Sequence, residues 1–326
     1  MVYFIFRRIG QMAFVMVGMS MIEFLIFFAT PGVDPVANIA GRGASPEVLA
    51  AVRHSFGFDE PFYIQYLQLM KHLLIDMDLT SYSNRSYQVL PAILKSLPVT
   101  FSVILGTVVI WLIASIVIGV VAAMNQGKLT DKVLMALGLI GISMPVFWVG
   151  EVANMVTQHK FHDSWLFSWV PPLGYVPFTE DPVGWFKCLI IPWVTGSILY
   201  VGIYGRLLRS SLIESYHEDF IRTARAKGLS ETRILFRHAM RTAMIPFVSL
   251  FGLDLGALIA GSTILIEIVF GLQGFGMLTF RALQGLDLPF MMTTIMYGSF
   301  FVVASSTLVD IIYGYLDPRV RDAKSR

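Results

Sequence analysis

Cysteine is nearly absent: Cys188 is the single one in 326 residues, which excludes an internal disulfide framework. At the edge of an apolar run it reads as a small packing residue. Charge is scarce as well. Lysine, arginine, aspartate and glutamate make up 14% of the chain, against roughly 25% in an ordinary soluble domain, and the mean hydropathy is +0.69. These two figures exclude a soluble class and leave a membrane protein. The net charge of +2 asks for no nucleic-acid partner. Alternating apolar and polar strands are missing too, and backbone groups in lipid must be satisfied internally, so a helical bundle is expected rather than a barrel. No repeat of 20–50 residues and no low-complexity tract occurs, which makes one domain over residues 1–326 the economical reading. No serine, histidine and acid constellation stands in a catalytic context, so no catalytic residue is assigned. A P-loop requires G-x-x-x-x-G-K-[ST]; the one Gly-Lys pair, Gly127-Lys128, is followed by leucine. Any ATP must be hydrolysed elsewhere.

What the chain does have is long apolar runs. A bilayer core about 30 Å thick takes about 20 apolar helical residues to cross, and six such runs lie near 9–30, 98–124, 133–157, 188–205, 245–269 and 290–316. An all-α protein with six transmembrane helices is expected. The first run follows Arg7 and Arg8 as a signal peptide would, but it is too long and lacks a small-residue cleavage site, so it reads as a retained helix. With the N-terminus inside, the inner segments hold 16 of the 24 lysines and arginines, which places both termini in the cytoplasm. The segment 31–97 is then an extracytoplasmic cap. Ser45-Pro46-Glu47 opens a short helix there, serine capping free amides and proline preset for the first turn, and "PFYIQYLQLMKHLL" forms a second. Pro145 is expected to kink the third crossing, and Gly252 and Gly256 to bare one face of the fifth for close packing.

One stretch is dense in arginine. "FIRTARAKGLSETRILFRHAMRTAMIP", residues 220–246, lies within the inner loop 206–244. It predicts a helix from about Tyr216 to Lys227, a left-handed turn at Gly228, then a helix capped by Ser230 that runs until Pro246. Ala224 and Ala226 keep one side of this elbow slim, so that another protein can approach. A basic inner loop touching anionic lipid headgroups accounts for the arginines; it does not account for the alanine–glycine turn.

These residues resemble the cytoplasmic loop of permease subunits of ATP-binding-cassette importers, more narrowly of the dipeptide and oligopeptide branch. "TPGVDPVANIAG", "FGFDEPFYIQYL", "GISMPVFWVG", "EIVFGLQGFG" and "LVDIIYGYLDPRVR" agree with that branch in order along almost the whole chain. Two departures stand out. Gln273 occupies the place where the branch usually has a proline, and "DMDLTSYS" stands where a glycine-containing acidic turn is usual. The resemblance implies a type I importer half in a bacterial or archaeal cell membrane. It implies a second homologous permease, two ATPase subunits that use ATP and magnesium, an extracytoplasmic substrate-binding protein and surrounding membrane lipid. No cofactor is expected in this chain. The resemblance also implies that Arg222, Ala224, Arg225, Ala226, Lys227, Gly228, Leu229, Ser230 and Arg233 form the loop that meets an ATPase. Peptides are the implied cargo; nickel chelates, glutathione and haem precursors are carried by similar permeases.

Ionisable groups within apolar crossings are costly and tend to face the bundle interior or water. Asp254 is the deepest; Glu23 and Glu151 lie toward the outer halves of their helices, and Asn154 shares a face with Glu151. Met144, Phe147 and Trp148 surround the expected kink. For all of these, lining a translocation path and packing within the protein are both open. An ion-driven carrier using Asp254 and Glu151 is the alternative of a different class. Glu267 and Asp310 match the family pattern and suit an interface or folding role. His159, His162 and Asp163 lack a third well-placed ligand for a metal, and none is assigned.

Overall fold

The computed structural model describes residues 2–29, 35–41, 43–82, 84 and 87–316, and all regular structure among them is helical apart from one isolated bridge, Thr80 to Gln88. Fourteen α-helical segments are numbered in chain order. α1 (Val2–Ala29) is followed by the short α2 (Pro35–Ala40), α3 (Pro46–Ser55) and α4 (Phe62–Lys71). The long α5 (Val89–Met124) leads to α6 (Leu129–Ser143) and α7 (Val146–Asn154), then to the long α8 (Pro182–Tyr216). α9 (Asp219–Ala226) and α10 (Glu231–Ile234) form the elbow. α11 (Met240–Ala257), α12 (Ile264–Val269), α13 (Phe275–Gly285) and α14 (Leu288–Leu316) complete the chain.

α5 and α8 run side by side as the spine of the bundle. At 36 and 35 residues, each is about 50 Å long at 1.5 Å per residue, more than a bilayer core requires. Missing side chains let them approach. A methyl at Gly106 would lie 2.0 Å from the Trp193 ring, so that indole rests directly on the α5 backbone. Its Nε1 donates to the Ser102 carbonyl at 2.9 Å. α6 crosses α8 in the same way, with Gly202 against the Gly138 carbonyl.

Four helices are long and apolar enough to cross a membrane: Ile9–Phe27 within α1, α5, α8, and Leu288–Thr307 within α14. The third apolar run does not kink gently. It breaks by 97° between Leu129–Ser143 and Val146–Lys160, and counts as a fifth span only if the bent pair is one crossing. The reason is Met144, which stands before Pro145 and is pushed to extended backbone with ψ 130°, so the helix ends instead of bending. The fifth run departs from expectation in the opposite sense at its start. Pro246 lies inside α11 and does not end the elbow's second helix. From Glu231 the helix continues through a π turn at Leu235–Ala239 and through Pro246 to a second π turn at Leu258–Ser262. Ala243 and Phe247, each 1% exposed, hold α11 against the core, while Thr242 and Pro246 lie on the exposed side. The run then breaks at Gly261, whose φ of +142° is closed to side-chain-bearing residues.

The two short helices expected within 31–97 are present. Ser45 Oγ accepts from Val48 N at 3.4 Å and Pro46 opens α3. α4 packs on α1, where Ser20 Oγ meets Tyr66 Oη at 2.8 Å and the Phe24 ring lies 5.5 Å from those of Phe62 and Tyr66. The segment 31–34 and the C-terminal stretch 317–326, which carries the last basic residues, lie outside the described residues, as does the side chain of Asp310.

Candidate functional site

The elbow is built from the end of α8, α9, the turn at Gly228 and α10. α8 ends at Tyr216 and α9 begins at Asp219, so the expected first helix starts three residues later than the sequence suggested. Gly228 has φ +73° and closes α9 by a paired C-terminal motif: Gly228 N donates to the Arg225 carbonyl at 2.9 Å and Leu229 N to the Ala224 carbonyl at 3.3 Å. A methyl at Gly228 would meet nothing within 4 Å. Backbone conformation alone demands glycine here. Ser230 holds the N-cap position of α10 with extended φ and ψ, but its side chain makes no capping bond. The structure instead spans the turn with Arg225, whose guanidinium donates twice to Glu231, at 2.8 and 3.2 Å, and lies 5.7 Å over the Tyr216 ring. That hydrogen bond holds the Glu231 carboxyl below its ordinary range.

One face of the elbow is fixed to its own bundle. Ile221 and Ala224 of α9, Ile234 of α10, and Leu235 and Ala239 of the π turn are buried in one cluster with Trp111, Tyr204, Leu208 and Leu212 of α5 and α8. Ala224, 5% exposed, lets α9 approach the rest of this chain closely. Leu229 packs against the same cluster. The other face is free: Arg222, Arg225, Ala226, Lys227, Gly228, Ser230 and Arg233 are exposed, flanked by Phe220 and Phe236 at 39% and 63% exposure. Two exposed aromatics thus stand among the cations of this face.

A second polar lock sits beside the elbow and has no counterpart in the sequence reading. Arg209 of α8 reaches Asp131 of α6 with Nε at 2.5 Å and Nη2 at 2.7 Å, and Gly127 N donates to the same carboxylate at 2.9 Å. Asp131 is buried. Asp131→Asn is expected to destabilise the folded chain by on the order of 2 kcal/mol, read as a lower thermal unfolding temperature, because a two-pronged charged contact is lost while Arg209 stays half-enclosed.

The residues expected along a path stand on three parts of the fold: Glu23 on α1, Met144, Phe147, Glu151 and Asn154 at the α6–α7 break, and Asp254 on α11. Asp254 accepts from Tyr204 Oη at 2.6 Å, inside the α8–α11 contact. Asn154 is buried and donates from Nδ2 to the Val269 carbonyl at 2.8 Å, whereas Glu151, one turn earlier, is exposed. Met144, Phe147 and Trp148 are exposed at the 97° break, so they pack no core. Glu23 is buried on α1, and neither of its carboxylate oxygens has a hydrogen-bond partner among the described residues.

Glu267 carries the most elaborate polar site. Fully buried at the end of the fifth run, it accepts from Thr100 Oγ1 at 2.6 Å, Thr263 Oγ1 at 3.4 Å and Met277 N at 2.8 Å. Thr100 Oγ1 in turn accepts from Phe275 N at 2.8 Å. The carboxylate thus caps the N-terminus of α13 from a distance and ties it to α5. This fixes the turn "FGLQGFG" without the family's proline: Gln273 is exposed, while Gly274 and Gly276 close over Glu267. The other departure is likewise accommodated. Met77, φ +53°, takes the left-handed position between Asp76 and Asp78, and Asp78 is held by His72 Nδ1 at 2.8 Å. His162, by contrast, turns Nδ1 to the Thr157 carbonyl at 3.1 Å.

The family described as "Binding-protein-dependent transport system inner membrane component" matches residues 115–322, and its N-terminal companion matches residues 1–104. The chain belongs to this family. Relatives span nearly its full length. A Brucella abortus (strain 2308) protein named as a peptide transport system permease is 38% identical over 317 residues, covering 97% of this chain and 98% of its own. The di/tripeptide transport system permease of Pseudomonas aeruginosa (strain UCBPP-PA14) is 32% identical over 339 residues, covering 98% and 99%. The dipeptide transport system permease of Escherichia coli (strain K12) is 30% identical over 342 residues, covering 99% and 100%. As a member of this family, the chain is a multi-pass membrane component of a transport system.

Proposed function

We propose that this chain is the membrane-spanning subunit of an ATP-driven peptide importer in a bacterial or archaeal cell membrane, forming half of the translocation channel. The observation that carries the mechanism is continuity. The turn at Gly228 leads into a helix that runs from Glu231 without a break until Gly261, so a push on the elbow moves α11 as one rod. A pair of partner ATPases, binding ATP and magnesium, would close on the exposed elbow face. A second homologous permease would complete the channel, and an extracytoplasmic binding protein would deliver cargo to the cap. The relatives' peptide and dipeptide names support that cargo.

In this reading the chain is one domain of six crossings, with α11 in the fifth and the broken α6–α7 pair in the third. Both termini and the loop 206–244 are cytoplasmic, and 31–97 is extracytoplasmic. Glu151, Met144 and Phe147, exposed at the break, are free to face the pathway, whereas Asp254 and Asn154 are engaged in helix contacts. The same assembly would serve a nickel chelate, glutathione or a haem precursor if the binding protein selected it.

Reconstitution tests the reading. Uptake of a labelled dipeptide into liposomes is expected only when the chain is joined by its companion permease, the ATPases, ATP and the binding protein. Uptake by the chain alone, driven by a proton gradient, would replace the importer with an ion-driven carrier. Uptake that needs every subunit but rejects peptides would change the cargo alone.

A further inference from the structure

Between α1 and α14 the bundle leaves a groove of about 660 Å³, lined by Phe14, Val15, Val302 and Val303, with Arg7 and Gln11 at one end. A second hollow of about 390 Å³ shares Val15, Val302 and Val303 and continues past Met19 to Phe275 and Ile295. The two hollows share this wall and follow one another along α1. A methyl at Gly10 would meet nothing within 4 Å, so this stretch of α1 faces open space.

Length and charge together specify an occupant. From Arg7 to Met19 is about 18 Å at 1.5 Å per helical residue, and one leaflet of the hydrocarbon core is about 15 Å deep. The groove is thus as long as one leaflet is thick. Its walls are mostly apolar, with the hydroxyl residues Ser306, Thr279, Thr294 and Ser299 among them, and its one charged lining residue, Arg7, stands just before the span that begins at Ile9. Arg7 is exposed and has no ion-pair partner among the described residues, so its guanidinium is available to an anion. A neighbouring protein helix would use the apolar walls but not the charge. A phospholipid uses both.

We propose that the groove seats an acyl chain of an anionic phospholipid whose headgroup phosphate pairs with Arg7. The planar guanidinium offers a phosphate two parallel donors, and Gln11 adds an amide one turn further along α1. A lipid held there covers the α1–α14 contact and fixes α1 on the bundle. The site is independent of the cargo, because neither the elbow nor the break at Pro145 contributes to it.

Native mass spectrometry of the full chain in detergent tests it, with added phosphatidylglycerol and, separately, phosphatidylcholine. One phosphatidylglycerol retained per chain, in preference to phosphatidylcholine, is the expected result. Arg7→Gln should weaken that retention about fivefold, the equivalent of one interfacial cation. Val303→Trp, which fills the groove and leaves Arg7 in place, should abolish it. Equal retention of the two lipids, or no change in either variant, would overturn the site. So would a photo-crosslinker at Val15 that captures the companion permease instead of lipid in the assembled complex.

Discussion

Gly228→Val is expected to reduce ATP-driven uptake at least tenfold while leaving the amount of chain inserted in the membrane unchanged. The substitution meets no steric obstacle, because the space around the Gly228 Cα is open. Its cost is conformational. At φ +73° an ordinary side chain costs about 1–2 kcal/mol, and a β-branched one is a genuine outlier. The turn then relaxes toward negative φ. That breaks the two closing bonds to Ala224 and Arg225 and swings Glu231 away from the Arg225 guanidinium. The buried side, held by Ile221 and Ile234, stays in place, so insertion and the bundle survive. The exposed side loses the shape that the proposed ATPase contact requires. Gly228→Asn supplies the control, since asparagine tolerates the left-handed region. It should retain most of the uptake. Paired measurements of ATP hydrolysis and dipeptide uptake in liposomes containing all subunits distinguish lost coupling from lost assembly. Equal uptake by the valine variant and the wild type would mean that the turn does not transmit force.

Much of this architecture is legible in the sequence because lipid imposes simple demands. Twenty apolar residues announce a crossing whatever their neighbours, and Ser45-Pro46 and Gly228 announce a helix start and a left-handed turn through local backbone chemistry. Direction is not written in hydropathy. The run 133–157 looks like one crossing with a proline in it, yet the extended backbone that Pro145 imposes on Met144 turns it through 97°. Ala224 is small for two indistinguishable reasons, and only its burial beside Ile221 shows that the close neighbour is this chain. Glu151 and Asn154 have the right spacing for one face, but three residues leave about 60° between them, enough to put one outside and the other in. Asp131–Arg209 and Glu267–Thr100 join residues 78 and 167 positions apart, and no local pattern announces such pairs. The hint for Glu267 was the pair of glycines that follow it.

Those glycines lead to the largest expected loss of stability. Glu267→Ala should cost roughly 3–5 kcal/mol, because Thr100 Oγ1 and Met277 N would be left as buried donors without an acceptor, each worth about 1–3 kcal/mol, and the N-terminus of α13 would lose its carboxylate. Glu267→Gln should cost about half as much, since one acceptor oxygen remains while an amide replaces the other. Gly274→Ala attacks the same point from the opposite side. Its methyl would lie 2.5 Å from the Glu267 Cδ and from both carboxylate oxygens, closer than real contacts allow, so the turn or the carboxylate must move. If the glycine is small because the carboxylate is there, the two losses cannot add. With alanine at 267 the clash disappears, and the double variant Glu267→Ala/Gly274→Ala should be no less stable than Glu267→Ala alone, a coupling of about 1–3 kcal/mol. Thermal unfolding of the detergent-solubilised chain measures all four proteins. Strictly additive losses would show that the turn holds its shape by other means and that the buried carboxylate does not organise it.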